Sequence, residues 1–178
     1  MRLADGPRTE CERLVAAPSA RVWELVTDIG LPAEHSPELM RAEWLGGDGV
    51  PALGARFAGY NRNRRLGDWR TVSEVVELVP EQVFAWAVLD ADGRFGPPAD
   101  DPEHPMAVWR YTLRPRAGGT LLRHEVRLGP GRSGLTVAVD RMPDLEEPLV
   151  LGRLDELRAG METTLRGLAS RAEDGSAA

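Results

Sequence analysis

The feature that most constrains this chain is a two-residue rhythm that returns in segment after segment across its middle. Phe57, Gly59, Asn61 and Asn63 fall on one side of such a segment, with Arg56, Arg62 and Arg64 on the other. Trp69, Thr71, Ser73 and Val75 alternate with Arg70 and Glu74; Phe84, Trp86 and Val88 form the next set. Trp109, Tyr111 and Leu113 then oppose Arg110, Thr112 and Arg114, and Leu122, His124 and Val126 oppose Arg123, Glu125 and Arg127. Successive side chains of a strand point to opposite faces, so this rhythm predicts an antiparallel sheet with one apolar face and one wet face. Met40, Ala42 and Trp44, alternating with Arg41 and Glu43, add an earlier strand, and Thr9–Ala16 reads as the first. Pro115-Arg116-Ala117-Gly118-Gly119 reads as the turn of a long hairpin.

A sheet with one apolar face needs a cover. The only segment long enough to supply it runs from about Leu149 to Ala172, where Val150, Leu154, Leu157, Met161, Leu165 and Leu168 recur along one helical stripe. Pro148 suits its first turn, and Glu162 with Arg166 makes an i,i+4 pair for its wet side. Gly152, Gly160 and Gly167 fall off the stripe, so they are read as opening no room toward the core. Pro18 ends the first strand. Ser19 is read as the cap of a short helix over about Ala20–Thr27, and a helical turn follows near Leu31–Ser36. Two Pro- and Gly-rich stretches, Asp90–Pro105 and Gly129–Pro148, read as loops or as loops carrying a short helix. The expected class is α+β: a curved antiparallel sheet of about seven strands around a long C-terminal helix, with one or two short helices after the first strand. A curved sheet gripping one helix need not fill the space between them. The domain is set at residues 9–172, with residues 1–8 and 173–178 expected to be flexible ends.

The 178 residues make one domain, and a composition of 42% hydrophobic and 28% charged side chains is that of a globular chain with a real core. A net charge of -6 argues against nucleic acid and anionic membrane as partners, since both need a basic face. The longest apolar run, Val83–Leu89, falls far short of the roughly 20 residues of a membrane helix, so no membrane insertion is expected. A single cysteine, Cys11, allows no internal disulfide and no cysteine-based zinc site. His35, His104 and His124 share no ligand spacing, and no phosphate-binding or dinucleotide fingerprint occurs, so neither metal nor cofactor is expected. With no apolar stretch in its first ten residues, the chain reads as cytoplasmic, either a monomer or a homodimer.

The run Ala16-Ala17-Pro18-Ser19-Ala20-Arg21-Val22-Trp23-Glu24-Leu25-Val26-Thr27-Asp28 resembles the strand-to-helix opening of the START-like, or SRPBCC, superfamily. Within it the chain looks like the polyketide cyclase/dehydrase-like proteins of actinobacteria. Ser36-Pro37-Glu38, Glu43-Trp44-Leu45-Gly46-Gly47, Gly54-Ala55-Arg56-Phe57, Trp109-Arg110-Tyr111 and Gly118-Gly119-Thr120 carry the likeness across Thr9 to Ala172. The resemblance implies a helix-grip fold with a deep hydrophobic cavity. Members bind lipids, sterols, polyketides or aromatics, and some catalyse aldol cyclisation and dehydration. Fold analogy alone does not assign an activity.

The inward-facing polar and aromatic residues are the candidates for chemistry. Asn61, Trp69, Thr71, Ser73, Tyr111 and His124 share the apolar face by strand parity, and polar groups there must be bonded to one another or to a ligand. His124 is the natural general acid or base, with Tyr111 as a phenol donor and Asn61 as a holder of oxygen; alternatively His124 is a satisfied core histidine. Trp86 and Trp109 are ligand-stacking faces or core. Leu157 and Met161 bring the helix seam to the same space, and His35 sits where a cavity mouth is expected, at a position where the family pattern often carries Trp. Arg62, Arg64, Arg65 and Arg70 cluster on a hairpin, and parity places none of them inside. The resulting expectation is a binder of a hydrophobic, aromatic or polyketide-like small molecule; the alternative is a polyketide cyclase, aromatase or dehydratase acting in the same cavity.

Overall fold

In the structure, a computed structural model that describes residues 1–47 and 49–174, the alternating segments form a sheet of seven antiparallel strands. β1 (Arg8–Val15) leads into α1 (Ser19–Thr27) and a 3-10 turn at Leu31–Glu34. Six strands follow: β2 (Leu39–Trp44), β3 (Arg56–Asn63), β4 (Gly67–Val79), β5 (Val83–Leu89), β6 (Ala107–Arg116) and β7 (Gly119–Leu128). The chain then passes through α2 (Gly134–Arg141) and a 3-10 turn at Pro143–Leu145 into α3 (Glu146–Asp174). The strand order is β1-β7-β6-β5-β4-β3-β2, so consecutive strands from β2 to β7 are neighbours, β7 returns beside β1, and β1 and β2 form the two edges. This is the α+β helix-grip architecture.

Strand parity sets the two faces. Phe84, Tyr111, His124 and Cys11 lie opposite one another in turn across β5, β6, β7 and β1, and Trp86, Trp109 and Val126 make the next row. The outer face carries ion pairs between neighbouring strands, Arg56 with Glu74 at 2.7 Å, Arg62 with Asp68 at 2.7 Å and Arg123 with Glu12 at 3.2 Å. Such solvated pairs contribute little stability, about 0–1 kcal/mol each, but they keep that face wet.

The six seam residues of α3, from Val150 to Leu168, are all buried. Burying each Leu or Met side chain stabilises by about 1.5–3 kcal/mol. α3 lies chiefly against β1, with smaller contacts to β7 and α1, so the far wing of the sheet is left standing away from the helix. Its side chains also close the β1 edge: Arg158 donates to the Glu10 carbonyl at 2.9 Å, and Glu173 accepts from the Ala16 N–H at 3.1 Å. An occupied edge resists pairing with another strand.

Several local expectations are corrected. Pro18, not Ser19, stands at the cap of α1, and the Ser19 hydroxyl lies 3.3 Å from that of Thr120 instead. α3 begins at Glu146 and runs to Asp174, beyond both expected ends; residues 175–178, expected to be flexible, lie outside the described residues. Glu162 pairs with Arg158 at 3.1 Å, while Arg166 donates to the Thr163 hydroxyl. The first residues include a 3-10 turn at Leu3–Asp5, and the Met1 ammonium lies 2.9 Å from Glu147 at the surface. A register shift between Leu39 and Arg41 turns Leu39 inward and leaves Met40 exposed. Nor are the α3 glycines idle. Gly152 and Gly160 line the interior space, and a Cβ on Gly167 would stand 2.3 Å from the His35 ring.

Candidate functional site

A cavity of about 560 Å³ lies between the concave sheet face and α3, with α2 across one side. α3 sits chiefly over the β1 side of the sheet, and strands β2 to β7 all contribute to the cavity lining. Asn61, Trp69, Thr71, Ser73, Trp86, Trp109, Tyr111 and His124 all line it from the strands, and Leu157 and Met161 line it from α3. His35 is not brought to this wall: its ring lies on Gly167, on the helix face that a larger residue would block.

The sheet wall is aromatic. Trp86 and Trp109 are nearly parallel, 9° apart in plane with centroids at 6.4 Å. Tyr111 stacks on His124 at 4.2 Å, and Trp109 stands 5.1 Å from the same imidazole. This continuous wall follows from cross-strand pairing, which puts residues of adjacent strands side by side on one face.

Two of the polar groups bond to the protein itself: the Asn61 amide donates to the Gly59 carbonyl at 3.3 Å, and the Thr71 hydroxyl donates to the same carbonyl at 3.4 Å. His124 does not. His124 is only 5% exposed, and neither ring nitrogen has a hydrogen-bond partner among the described residues. Burial pushes its pKa down to about 3, so the ring is neutral at physiological pH. Burial, with a smaller contribution from Cys11, raises the Tyr111 phenol well above its usual range. Burial, with Glu162 adding to it, pushes the Cys11 thiol up to about 11. The three therefore face the core as uncharged groups, suited to hydrogen bonding and ill suited to passing protons at neutral pH.

Charged residues stand at the cavity rim. Arg153 of α3 grips Glu38 with both terminal nitrogens, each at 2.9 Å, and stands 3.4 Å from Glu156. Burial opposes the charge on Arg153, but these carboxylates hold its pKa above the ordinary value. Arg65, from the hairpin where parity placed no inward Arg, reaches the rim at the strand end and lies 3.7 Å from Glu156. The loop after β5 folds back around buried Asp90, whose carboxylate accepts the N–H groups of Arg94 and Phe95 at 2.8 and 2.7 Å. That turn sends Phe95 into the lining, edge-on to Trp69. Leu135 and Ala138 of α2 close the same side. Sequence reasoning missed Leu39, Phe95, Arg153 and Glu38. Leu39 is turned in by an irregular strand register, and Phe95 by a loop; the Glu38–Arg153 pairing joins positions 115 apart, beyond the reach of local spacing. Among the described residues, no group of three or more His, Cys, Asp or Glu is placed to hold a metal, and no helix is long and apolar enough to cross a membrane.

Seven antiparallel strands curved around one long helix, with a cavity between them, define the helix-grip class of folds. The sequence matches the family described as polyketide cyclase/dehydrase and lipid transport over residues 7–173, and the chain belongs to that family, within the START-like superfamily. Among solved structures it is similar to the polyketide-cyclase-like protein Cgl2372 of Corynebacterium glutamicum, with 28% identity, 95% of this chain and 90% of that one covered, and a TM-score of 0.60. It is also similar to StfQ, a di-domain aromatase/cyclase of the steffimycin biosynthetic pathway. There identity is 16% and the TM-score 0.68; 96% of this chain and 52% of that one are covered. The major latex-like protein 151 of Panax ginseng shares the fold at 10% identity and a TM-score of 0.59, with 93% and 97% covered. The last two likenesses show the fold alone. A search of curated protein sequences finds no match.

Proposed function

We propose that this protein binds a hydrophobic small molecule, aromatic or polyketide-like, in the cavity between sheet and α3. The observation that carries the reading is the cavity itself: about 560 Å³ walled by Trp86, Trp109, Tyr111, Leu157 and Met161, with a small number of hydrogen-bonding groups among them. Ligand sites have this make-up, mostly apolar with a few placed polar atoms that fix orientation. Flat aromatic ligands gain most from it, since stacked or edge-on rings contribute about 0.5–1.5 kcal/mol per pair beyond area burial. Phe95 and α2, carried by the segments on either side of the β6–β7 hairpin, form the gate.

A second reading, cyclisation of a poly-β-ketone chain, is favoured by the Tyr111–His124 pair in one wall and by the aromatase/cyclase activity named for StfQ. In that scheme the cavity would fold the chain so that reacting carbons meet, and Asn61 would hold an oxygen. Binding is preferred because the neutral imidazole and phenol are poor proton carriers, and because the Arg153 guanidinium is engaged by Glu38.

The test is titration with N-phenyl-1-naphthylamine, a neutral probe that brightens in apolar surroundings, on wild type and on Leu157→Trp, which fills the space from α3. Wild type is expected to bind saturably and the variant about tenfold or more weakly, a loss of roughly 1.4 kcal/mol. Absence of saturable binding, or equal affinity in a folded Leu157→Trp, overturns the reading.

A further inference from the structure

We propose that His124 makes the cavity selective for neutral ligands bearing a hydroxyl or carbonyl group and sets it against their carboxylate counterparts; this rests on the hydrophobic-ligand reading above. The ring forms part of the cavity wall at 5% exposure, and no protein group among the described residues bonds either nitrogen. Tyr111 and Trp109 stand against the ring at 4.2 and 5.1 Å, so they pack against the imidazole without satisfying it. A neutral imidazole offers one donor and one acceptor. Both nitrogens are buried, so only an occupant of the cavity that reaches them supplies the missing bonds. A ligand that displaces water without reproducing its hydrogen bonds loses affinity. A hydroxyl can donate to the bare nitrogen or accept from the N–H, and a carbonyl oxygen can accept from it.

The charges on the wall argue the other half. The charged lining residues are Arg65, Arg153, Glu38 and Glu156, two of each sign. Arg153 spends both terminal nitrogens on Glu38, and Arg65 faces Glu156 at 3.7 Å. Among the described lining residues each cation already faces a carboxylate, Arg153 closely and Arg65 at longer range. The groups packed around His124, Tyr111 and Cys11, are uncharged and offer an anion no compensation. Burying an unpaired carboxylate in such surroundings is costly.

Calorimetric titration of the full chain at neutral pH with three probes of one shape, 2-naphthol, naphthalene and 2-naphthoate, separates the possibilities. Wild type is expected to bind 2-naphthol at least about tenfold more tightly than either of the others, the effect of satisfying a buried polar group. In His124→Phe the preference for 2-naphthol over naphthalene falls to less than about twofold. Equal binding of naphthol and naphthalene by wild type overturns the proposal, as does naphthoate binding as tightly as naphthol, or a preference that survives in His124→Phe. The wild-type comparison needs no variant, so a misfolded His124→Phe leaves it decisive. If none of the three binds while N-phenyl-1-naphthylamine does, the selectivity fails and the hydrophobic-ligand reading stands; if that probe also fails, both fall.

Discussion

In water an imidazole takes up its proton near pH 6.5; at position 124, burial moves that point down to about 3. Between those values the unfolded chain binds a proton that the folded chain refuses. This contribution to stability is therefore complete above pH 6.5 and is lost as pH falls toward 3, at up to about 1.4 kcal/mol per pH unit. Tyr111 and Cys11 stay protonated and uncharged throughout that window, since burial raises both. His124→Phe has no such proton to refuse. Urea unfolding of the two proteins from pH 7 to pH 4 is expected to show wild type losing stability relative to the variant, with the shared carboxylates cancelling in the difference. Parallel pH profiles would contradict the burial of a neutral ring. At this scale the sequence was partly legible. Strand parity turned His124 inward beside Tyr111, because side-chain direction is a local property of the backbone. Its lack of a partner was not legible, since that depends on what three other strands and α3 bring near it.

At the scale of elements, α3 shows how a helix serves two surfaces at once. Its Leu and Met stripe was readable from spacing alone, and it is buried as expected. The opposite lesson comes from its glycines. Gly167 lies off that stripe, yet it seats the His35 ring against the helix, and Gly160 meets Pro37 at 3.5 Å from its notional Cβ. The segment between α1 and β2 crosses the helix there, a long-range contact that helical periodicity does not encode. Gly167→Ala tests this. On helix propensity alone it would stabilise by about 1 kcal/mol. With a Cβ only 2.3 Å from the His35 ring, it is expected instead to lower the melting temperature, and adding His35→Ala is expected to restore it. A stabilised Gly167→Ala single variant would show that the segment is free of the helix. The β2 bulge follows the same logic: one slipped register sent Leu39 inward and Met40 out, reversing the face that simple alternation assigns.

For the whole molecule, the order of elements and the fold were legible because binary pattern determines layering. The hollow was expected only as a consequence of curvature. Its shape comes from the offset of α3 over β1, and its rim from Phe95, Arg153 and Glu38, which long connections bring together. Membership of the family supports a ligand-binding role, while the ligand's chemistry rests on the wall residues. The most direct test of that role is a crystal structure of the protein grown with N-phenyl-1-naphthylamine. The account predicts density for the probe enclosed between Trp86 and Trp109 on one side and Leu157 and Met161 on the other. Density confined to the outer surface, or an interior closed by those same side chains, would contradict it.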